Sequence, residues 1–207
     1  WVAPANFKES ILRLTDAEIA KAREGKDARI LVKCNSFTDK DIIQRFVDAS
    51  RAGVQIRLII RGTCCLTPQI PGLTENIQIV SIVGRFLEHS RIYAFGAGEE
   101  SRVFIASGDM MTRNTERRVE VACPICDPRI KTRLLEMMDI MLRDNVKARE
   151  QFADGRYILR SPLDAPPLNA QEHFMQQAKE PPVQADWEAD KPIREERRFL
   201  GWFRRKK

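Results

Sequence analysis

The sequence predicts an α/β domain, a mixed β-sheet flanked by helices with an irregular C-terminal tail, and three features of the chain predict it. Residues 28–60 read as strand, helix, strand, the unit that normally crosses over right-handed into a parallel pair. Residues 91–107 read as two alternating runs joined by a glycine-bearing turn, the pattern of an antiparallel hairpin. Residues 127–152 have the apolar spacing of a long amphipathic helix.

The elements follow in order. "NFKESILRLTDAEIAKAREGK" opens on Asn6 as an N-cap, places Ile11, Leu12, Leu14 and Ile19 at helical spacing and stops at Gly25. "ARILVKC" (28–34) is a β-rich run. "TDKDIIQRFVDASRAG" (38–53) reads as a helix closed by Gly53, and "VQIRLII" (54–60) alternates into a strand that ends at Arg61. A turn-rich stretch, "TCCLTPQIPGLTENI", precedes the strand "IQIVSIV" (77–83). The hairpin strands of 91–107 turn at Gly96 and Gly98, and "RRVEVACPI" supplies a further strand with Val119 and Val121 on one face. In the segment 127–152, Pro128 sits near the first turn, and Ile130, Leu134, Leu135, Met138, Met141 and Leu142 form the apolar stripe, its methionines serving as core filler. After Tyr157 the chain becomes rich in proline and charge, which predicts an irregular tail.

Composition bounds the function. The 207 residues are 43% hydrophobic and 31% charged, suited to one core plus a less compact part. A net charge of +6 spread along the chain points to an anionic ligand or partner. No apolar run reaches the roughly 18–20 residues of a membrane span, and no signal peptide opens the chain, so a cytoplasmic protein is expected. The start at Trp1 reads as the interior of a longer chain. The end, "RRFLGWFRRKK", with Phe199, Trp202 and Phe203 between basic residues, would suit peripheral contact with an acidic membrane, although a solvated tail is the simpler reading. Five cysteines, an odd number, argue for reduced thiols, and Cys123 and Cys126 in "CPIC" are read as small apolar side chains at a strand end; no metal ligands are assigned.

Three places join cations to a titratable group: Arg61 in "IIRG", His89 and Arg91 in "EHSR", and Asp109, Arg113, Arg117 and Arg118 in "SGDMMTRNTERRVE". Each lies at a strand end or in the adjoining loop. Ligands of parallel sheets gather beyond the carboxyl ends of the strands, and guanidiniums gathered there would hold phosphate by charge-assisted, often bidentate, bonds. Histidine suits such a site because it exchanges a proton near neutrality or attacks phosphorus when unprotonated. Taken singly, each group also reads as ordinary: His89 as an exposed loop residue, Asp109 as a structural partner of Arg113 across a turn.

Three stretches carry a family resemblance: "DARILVKCNSFTDKDII", "GVQIRLIIRGTCCLTPQIPGLTENIQIVSIVGRFLEHSRIY" and "SGDMMTRNTERRVEVACPICDPR". Together they resemble, over most of residues 1–157, the C-terminal catalytic region of the long, histidine-phosphorylating bacterial polyphosphate kinases. The resemblance implies a phospholipase D-like layered domain, with 1–157 as the catalytic half and 158–207 as a flexible tail. It also implies reversible transfer of the terminal phosphate of ATP to inorganic polyphosphate through a phosphohistidine on an upstream domain. His89 then matches the second, assisting histidine. By the same resemblance Arg61, His89 and Arg118 contact the nucleotide phosphates, with Arg113 and Arg91 as weaker members of the set. Gly108 stands where the family usually has alanine and Met110 where it usually has tryptophan, which bears on the packing of that loop.

The implied partners are ATP or ADP, inorganic polyphosphate, upstream domains of the same polypeptide and further copies of the full-length chain, with no nucleic acid. Mg²⁺ would arrive with ATP, on ligands outside this chain. Two other classes fit the residues less well. A phospholipase D-type phosphodiesterase would carry His-x-Lys and a downstream Asp where this chain has "HSR", and a non-catalytic polyphosphate-binding module would keep the arginines without turnover.

Overall fold

The computed structural model describes residues 1–162 and 165–180. Five α-helices and eight β-strands alternate along these residues. They are α1 (Phe7–Arg23), β1 (Arg29–Cys34), α2 (Lys40–Arg51), β2 (Gln55–Ile60), β3 (Ile77–Ile82), β4 (Ile92–Phe95), β5 (Arg102–Ala106), α3 (Thr112–Glu116), β6 (Ala122–Pro124), α4 (Pro128–Arg143), β7 (Ala148–Gln151), β8 (Tyr157–Leu159) and α5 (Ala170–Gln177). The strands form one sheet in the order β6-β5-β4-β1-β2-β3-β7-β8. β1, β2 and β3 are parallel, and every other pairing is antiparallel.

Helices cover both faces, which is why the central strands are apolar almost continuously instead of alternating. On one face Phe7, Ile11 and Leu14 of α1 and Ile42, Phe46 and Ala49 of α2 pack on Ile30, Val32, Ile56, Leu58, Ile60 and Tyr93. On the other, Met138, Met141 and Leu142 of α4 and Ala170 of α5 pack on Ile59, Val80, Ile82, Ile92 and Ala148. Truncating a fully buried side chain such as Phe46 to alanine would cost about 3–5 kcal/mol.

Caps fix where the helices begin. Asp39 accepts hydrogen bonds from the Asp41 and Ile42 amides (3.1 and 3.3 Å) and starts α2, and Asp127 does the same for α4 with the Arg129 and Ile130 amides (2.7 and 3.3 Å). Asn6 precedes α1 as expected, but its side chain turns back to accept from the Val2 amide (2.8 Å) and caps nothing.

Three expectations are corrected. The segment 127–152 is not one helix: α4 ends at Arg143, because buried Asp144 accepts the amides of Val146, Lys147 and Ala148 (2.9, 2.7 and 3.1 Å) and turns the chain into β7. The run 117–125 pairs with β5 only over Ala122–Pro124; Val119 and Val121 face outward, and Glu120 between them points in. The packed part of the chain also extends past Tyr157, since β8 joins the sheet edge and α5 docks beside α4. Phe199, Trp202 and Phe203 lie outside the described residues. Among the described residues no helix is long and apolar enough to cross a membrane, and all five cysteines are free thiols.

Candidate functional site

The topology brings the expected strand ends together. Parallel β1, β2 and β3 end side by side at Cys34, Ile60 and Ile82. β4 runs against β1, with Lys33 opposite Ile92, so the loop from β3 delivers residues 84–91 to this same edge. β5 runs against β4, with Ile92 opposite Ile105, and therefore releases Ser107, Gly108 and Asp109 there too. Arg61, His89, Arg91 and Asp109 thus meet at one end of the sheet.

Asn35, the first residue beyond β1, ties the groups together. Its side-chain oxygen accepts from Arg61 Nε (2.8 Å), and its backbone and side-chain N–H groups donate to Asp109 Oδ1 (2.7 and 3.1 Å). Arg61 Nε also donates to the Glu88 carbonyl, and its Nη2 lies 3.5 Å from His89 Nδ1. Arg91 grips Asp109 with two nitrogens, Nε to Oδ1 (3.0 Å) and Nη2 to Oδ2 (3.3 Å), and donates from Nη1 to the His89 carbonyl (3.1 Å). Asp109 therefore pairs with Arg91, not with Arg113 as expected across the turn. Arg113 on α3 and the following Arg117 and Arg118 are exposed at the same end of the sheet and bond none of Arg61, His89 or Asp109. Among the described residues Arg118 has only a loose ion pair with Glu120, at 3.9 Å.

Two buried charges complete the frame. Lys33 on β1 is 1% exposed, with Nζ 3.1 Å from Glu88 Oε2 and 3.2 Å from the Ser90 carbonyl. Burial pulls its ammonium below the ordinary lysine value, while the Glu88 carboxylate opposes that shift. Glu120 accepts from Ser107 Oγ (2.5 Å) and Asn114 Nδ2 (2.6 Å) beneath the loop that carries Asp109. At Gly108 a Cβ would sit 3.0 Å from Glu120 Cβ and Cγ, so glycine here gives Glu120 its place. Met110 fills the core at 0% exposure, and its carbonyl accepts the Thr38 and Asp39 amides (2.9 and 3.0 Å).

Beside Arg61 an open cleft of about 480 Å³ runs along Thr63, Ser81, Arg149, Gln151 and Tyr157. Two arginines line it and no carboxylate does, which makes it attractive to an anion. Magnesium prefers carboxylate and phosphate oxygens. The carboxylates tied into this network, Glu88 and Asp109, are already taken by Lys33 and Arg91, so these residues do not fit a magnesium site. Among the described residues no group of three or more His, Cys, Asp or Glu side chains could hold a metal ion. His173 lies on α5 against Phe174.

Sequence reasoning missed Asn35, Lys33, Glu88 and Arg149. The first three were legible only as neighbours of strand ends, and Arg149 was placed on a helix. Asp109 and Arg91 could have been paired from the hairpin register, which sets residues 92 and 105 opposite each other.

The mixed sheet, with an arginine–histidine cluster at the ends of its parallel strands, has a phospholipase D-like fold. A phospholipase D family member, Nuc from Salmonella typhimurium, superimposes with a TM-score of 0.54 at 15% identity, over 73% of this chain and 95% of its own, and so shares the fold. The family described as polyphosphate kinase C-terminal domain 2 matches residues 1–171, and the chain belongs to it. Polyphosphate kinase from Bacillus cereus is 49% identical over 156 residues, 75% of this chain and 22% of the relative. The Staphylococcus saprophyticus polyphosphate kinase is 44% identical over 204 residues, 98% of this chain and 28% of the relative. The crystal structure of polyphosphate kinase from Porphyromonas gingivalis aligns with a TM-score of 0.83 and 39% identity, over 86% of this chain and 28% of that one. The chain thus spans about a quarter of the length of these polyphosphate kinases.

Proposed function

We propose that this chain supplies the assisting half of an active site that moves the terminal phosphate of ATP, reversibly, to inorganic polyphosphate. The observation that carries the reading is Arg61. Its guanidinium is held by two neutral oxygens, from Asn35 and Glu88, so among the described residues no carboxylate pairs with its charge where it meets His89 and the carboxylate-free cleft. A phosphate there would receive charge-assisted hydrogen bonds from Arg61, with Arg149 placed to hold a further phosphate along the cleft. The exposed Arg113 and Arg118 would add to the field.

Phosphoryl transfer depends mainly on positioning and on neutralising charge. In this reading the histidine that becomes phosphorylated is supplied by an upstream domain, and His89 donates or accepts a hydrogen bond at the transferred group. The whole enzyme works in the cytoplasm, as a homo-oligomer, with Mg²⁺ on ligands outside this chain. A phosphodiesterase is disfavoured because Arg91, which stands in the lysine position of His-x-Lys, is spent on Asp109.

The test is ATP-dependent polyphosphate synthesis by the full-length polypeptide. Arg61→Ala and His89→Ala should each lower turnover by about 10²-fold or more, as loss of a preorganised donor does. Wild-type synthesis by both variants, or hydrolysis of a phosphodiester in its place, would overturn the assignment.

A further inference from the structure

The loop that carries His89 is not held by packing. None of residues 83–90 is buried, and Val83, Phe86 and Leu87 stand 59%, 48% and 70% exposed. Nor do residues 84–90 make a backbone–backbone hydrogen bond with any described residue. What fixes the loop is a set of side chains from distant parts of the chain, and most of them converge on Glu88.

Gln171, 5% exposed in the first turn of α5, spends its whole amide on this loop. Its Oε1 accepts the Phe86 amide (3.0 Å), and its Nε2 donates to the Phe86 carbonyl (2.9 Å) and to Glu88 Oε1 (2.8 Å). The other Glu88 oxygen takes Lys33, and the Glu88 carbonyl takes Arg61. Gln171 is itself fixed: buried Asp144 accepts the Ala170 amide (2.8 Å), and Asn169 Oδ1 accepts the Gln171 amide (3.1 Å). Gly84 leaves the room this requires, since a Cβ there would lie 2.5 Å from Gln171 Oε1. A loop held only by such bonds moves when one of them is lost, and His89 is the residue next to the hub.

We propose that Gln171 and Lys33, acting through Glu88, are positioning residues that set His89 and Arg61 for the transfer. The inference rests on the phosphotransfer reading above. Gln171→Ala frees the Phe86 amide and one Glu88 oxygen without opening the apolar core. A displacement of the order of 1 Å at a reacting group lowers turnover by up to about 10²-fold, so a fall of about tenfold or more is the expected effect. Gln171→Glu keeps the size but sets a carboxylate against Glu88, and should lower turnover in the same way.

A double-mutant cycle in the full-length polypeptide separates positioning from general loss of structure. Because Gln171 acts in part through His89, Gln171→Ala should lower turnover by a smaller factor in a His89→Ala background than in the wild type. Hydrogen exchange on the 207-residue chain gives the structural readout: the Phe86 amide should exchange faster in Gln171→Ala while the amides of β3 keep their protection. The proposal is overturned by wild-type turnover in both Gln171 variants, by a Gln171→Ala effect that multiplies undiminished in the His89→Ala background, or by loss of β3 protection in both variants. Wild-type turnover in His89→Ala would instead sink the phosphotransfer reading itself.

Discussion

Asp109→Asn is the sharpest test of how the site is held. The substitution keeps the shape of the side chain and removes its charge. Asp109 is 7% exposed and now receives Nε and Nη2 of Arg91 together with two N–H groups of Asn35. All of these are donors, so an asparagine amide must point its own N–H groups at other N–H groups whichever way it is turned. The Arg91 side chain is only 14% exposed, and breaking a nearly buried ion pair from one side costs about 3–5 kcal/mol; partial hydration of Arg91 argues for the lower figure, about 3 kcal/mol. At about 2–4 °C of melting temperature per kcal/mol for a domain of this size, the variant should melt about 6–12 °C lower. Thermal unfolding of the 207-residue chain followed by circular dichroism at pH 7 measures it. Removing both partners, as Arg91→Met with Asp109→Leu, should cost less than the sum of the single losses. A shift below about 2 °C for Asp109→Asn would mean that the pair contributes little, and the account of the site frame given above would fail.

Two further predictions concern titration. Burial lowers the Lys8 pKa, but the hydrogen bonds to Asp41, Glu116 and buried Asp39 outweigh it and hold the ammonium above its ordinary value. Because the folded pKa is the higher one, this stabilisation is complete below the unfolded value of about 10.4 and fades as pH rises through the folded value. Lys8→Met should therefore be less stable than wild type at pH 7, and the gap should narrow in melts taken progressively above about pH 10.4; a gap that widens would contradict the assignment. Among the thiols, burial pushes Cys64 up to about 11 and Cys34 higher still, whereas Cys65, Cys123 and Cys126 are exposed. Iodoacetamide at pH 8, read by mass spectrometry, should label the three exposed thiols first, Cys64 later, and Cys34 only after unfolding. Early labelling of Cys34 would place it outside the core.

The central strands were legible because their branched runs, "ARILVKC", "VQIRLII" and "IQIVSIV", carry more apolar residues than one sheet face can bury, and the glycine turn at 96–98 marked the hairpin. The stretch "NVKARE" was not legible as a strand. Lysine, alanine, arginine and glutamate favour a helix, and only the pairing of Ser81 with Arg149 and Val80 with Glu150 makes it β7. The same holds for "RRVEVAC": its alternation is real, but buried Glu120, satisfied by Ser107 and Asn114, decides which face turns inward. Most of the site frame lies in this second class. Glu88 meets Gln171 across 83 residues and Asn35 meets Asp109 across 74, and no local pattern records contacts at that range.

The charges at the sheet edge also sort the arginines that the sequence could only list together. An arginine already neutralised by a buried carboxylate gains little from a phosphate, because it would have to give up one ion pair to make another. Arg91 is in that position with Asp109, and Lys33 with Glu88. Both cations hold the loop from beneath. Arg61 is different: its partners are an amide oxygen and a carbonyl, which fix the plane of the guanidinium and leave its charge whole. Arg149, exposed along the same cleft, has no carboxylate beside it in the lining. In the proposed phosphotransfer reading, the ligand-facing charge of this edge would belong to Arg61 and Arg149, with Arg118 free to join at the cost of one weak contact to Glu120. On this account Arg91→Lys should act on the stability and placement of the His89 loop, and Arg61→Lys on the affinity for phosphate. That division would not exist if the two arginines, each close to His89, did the same work.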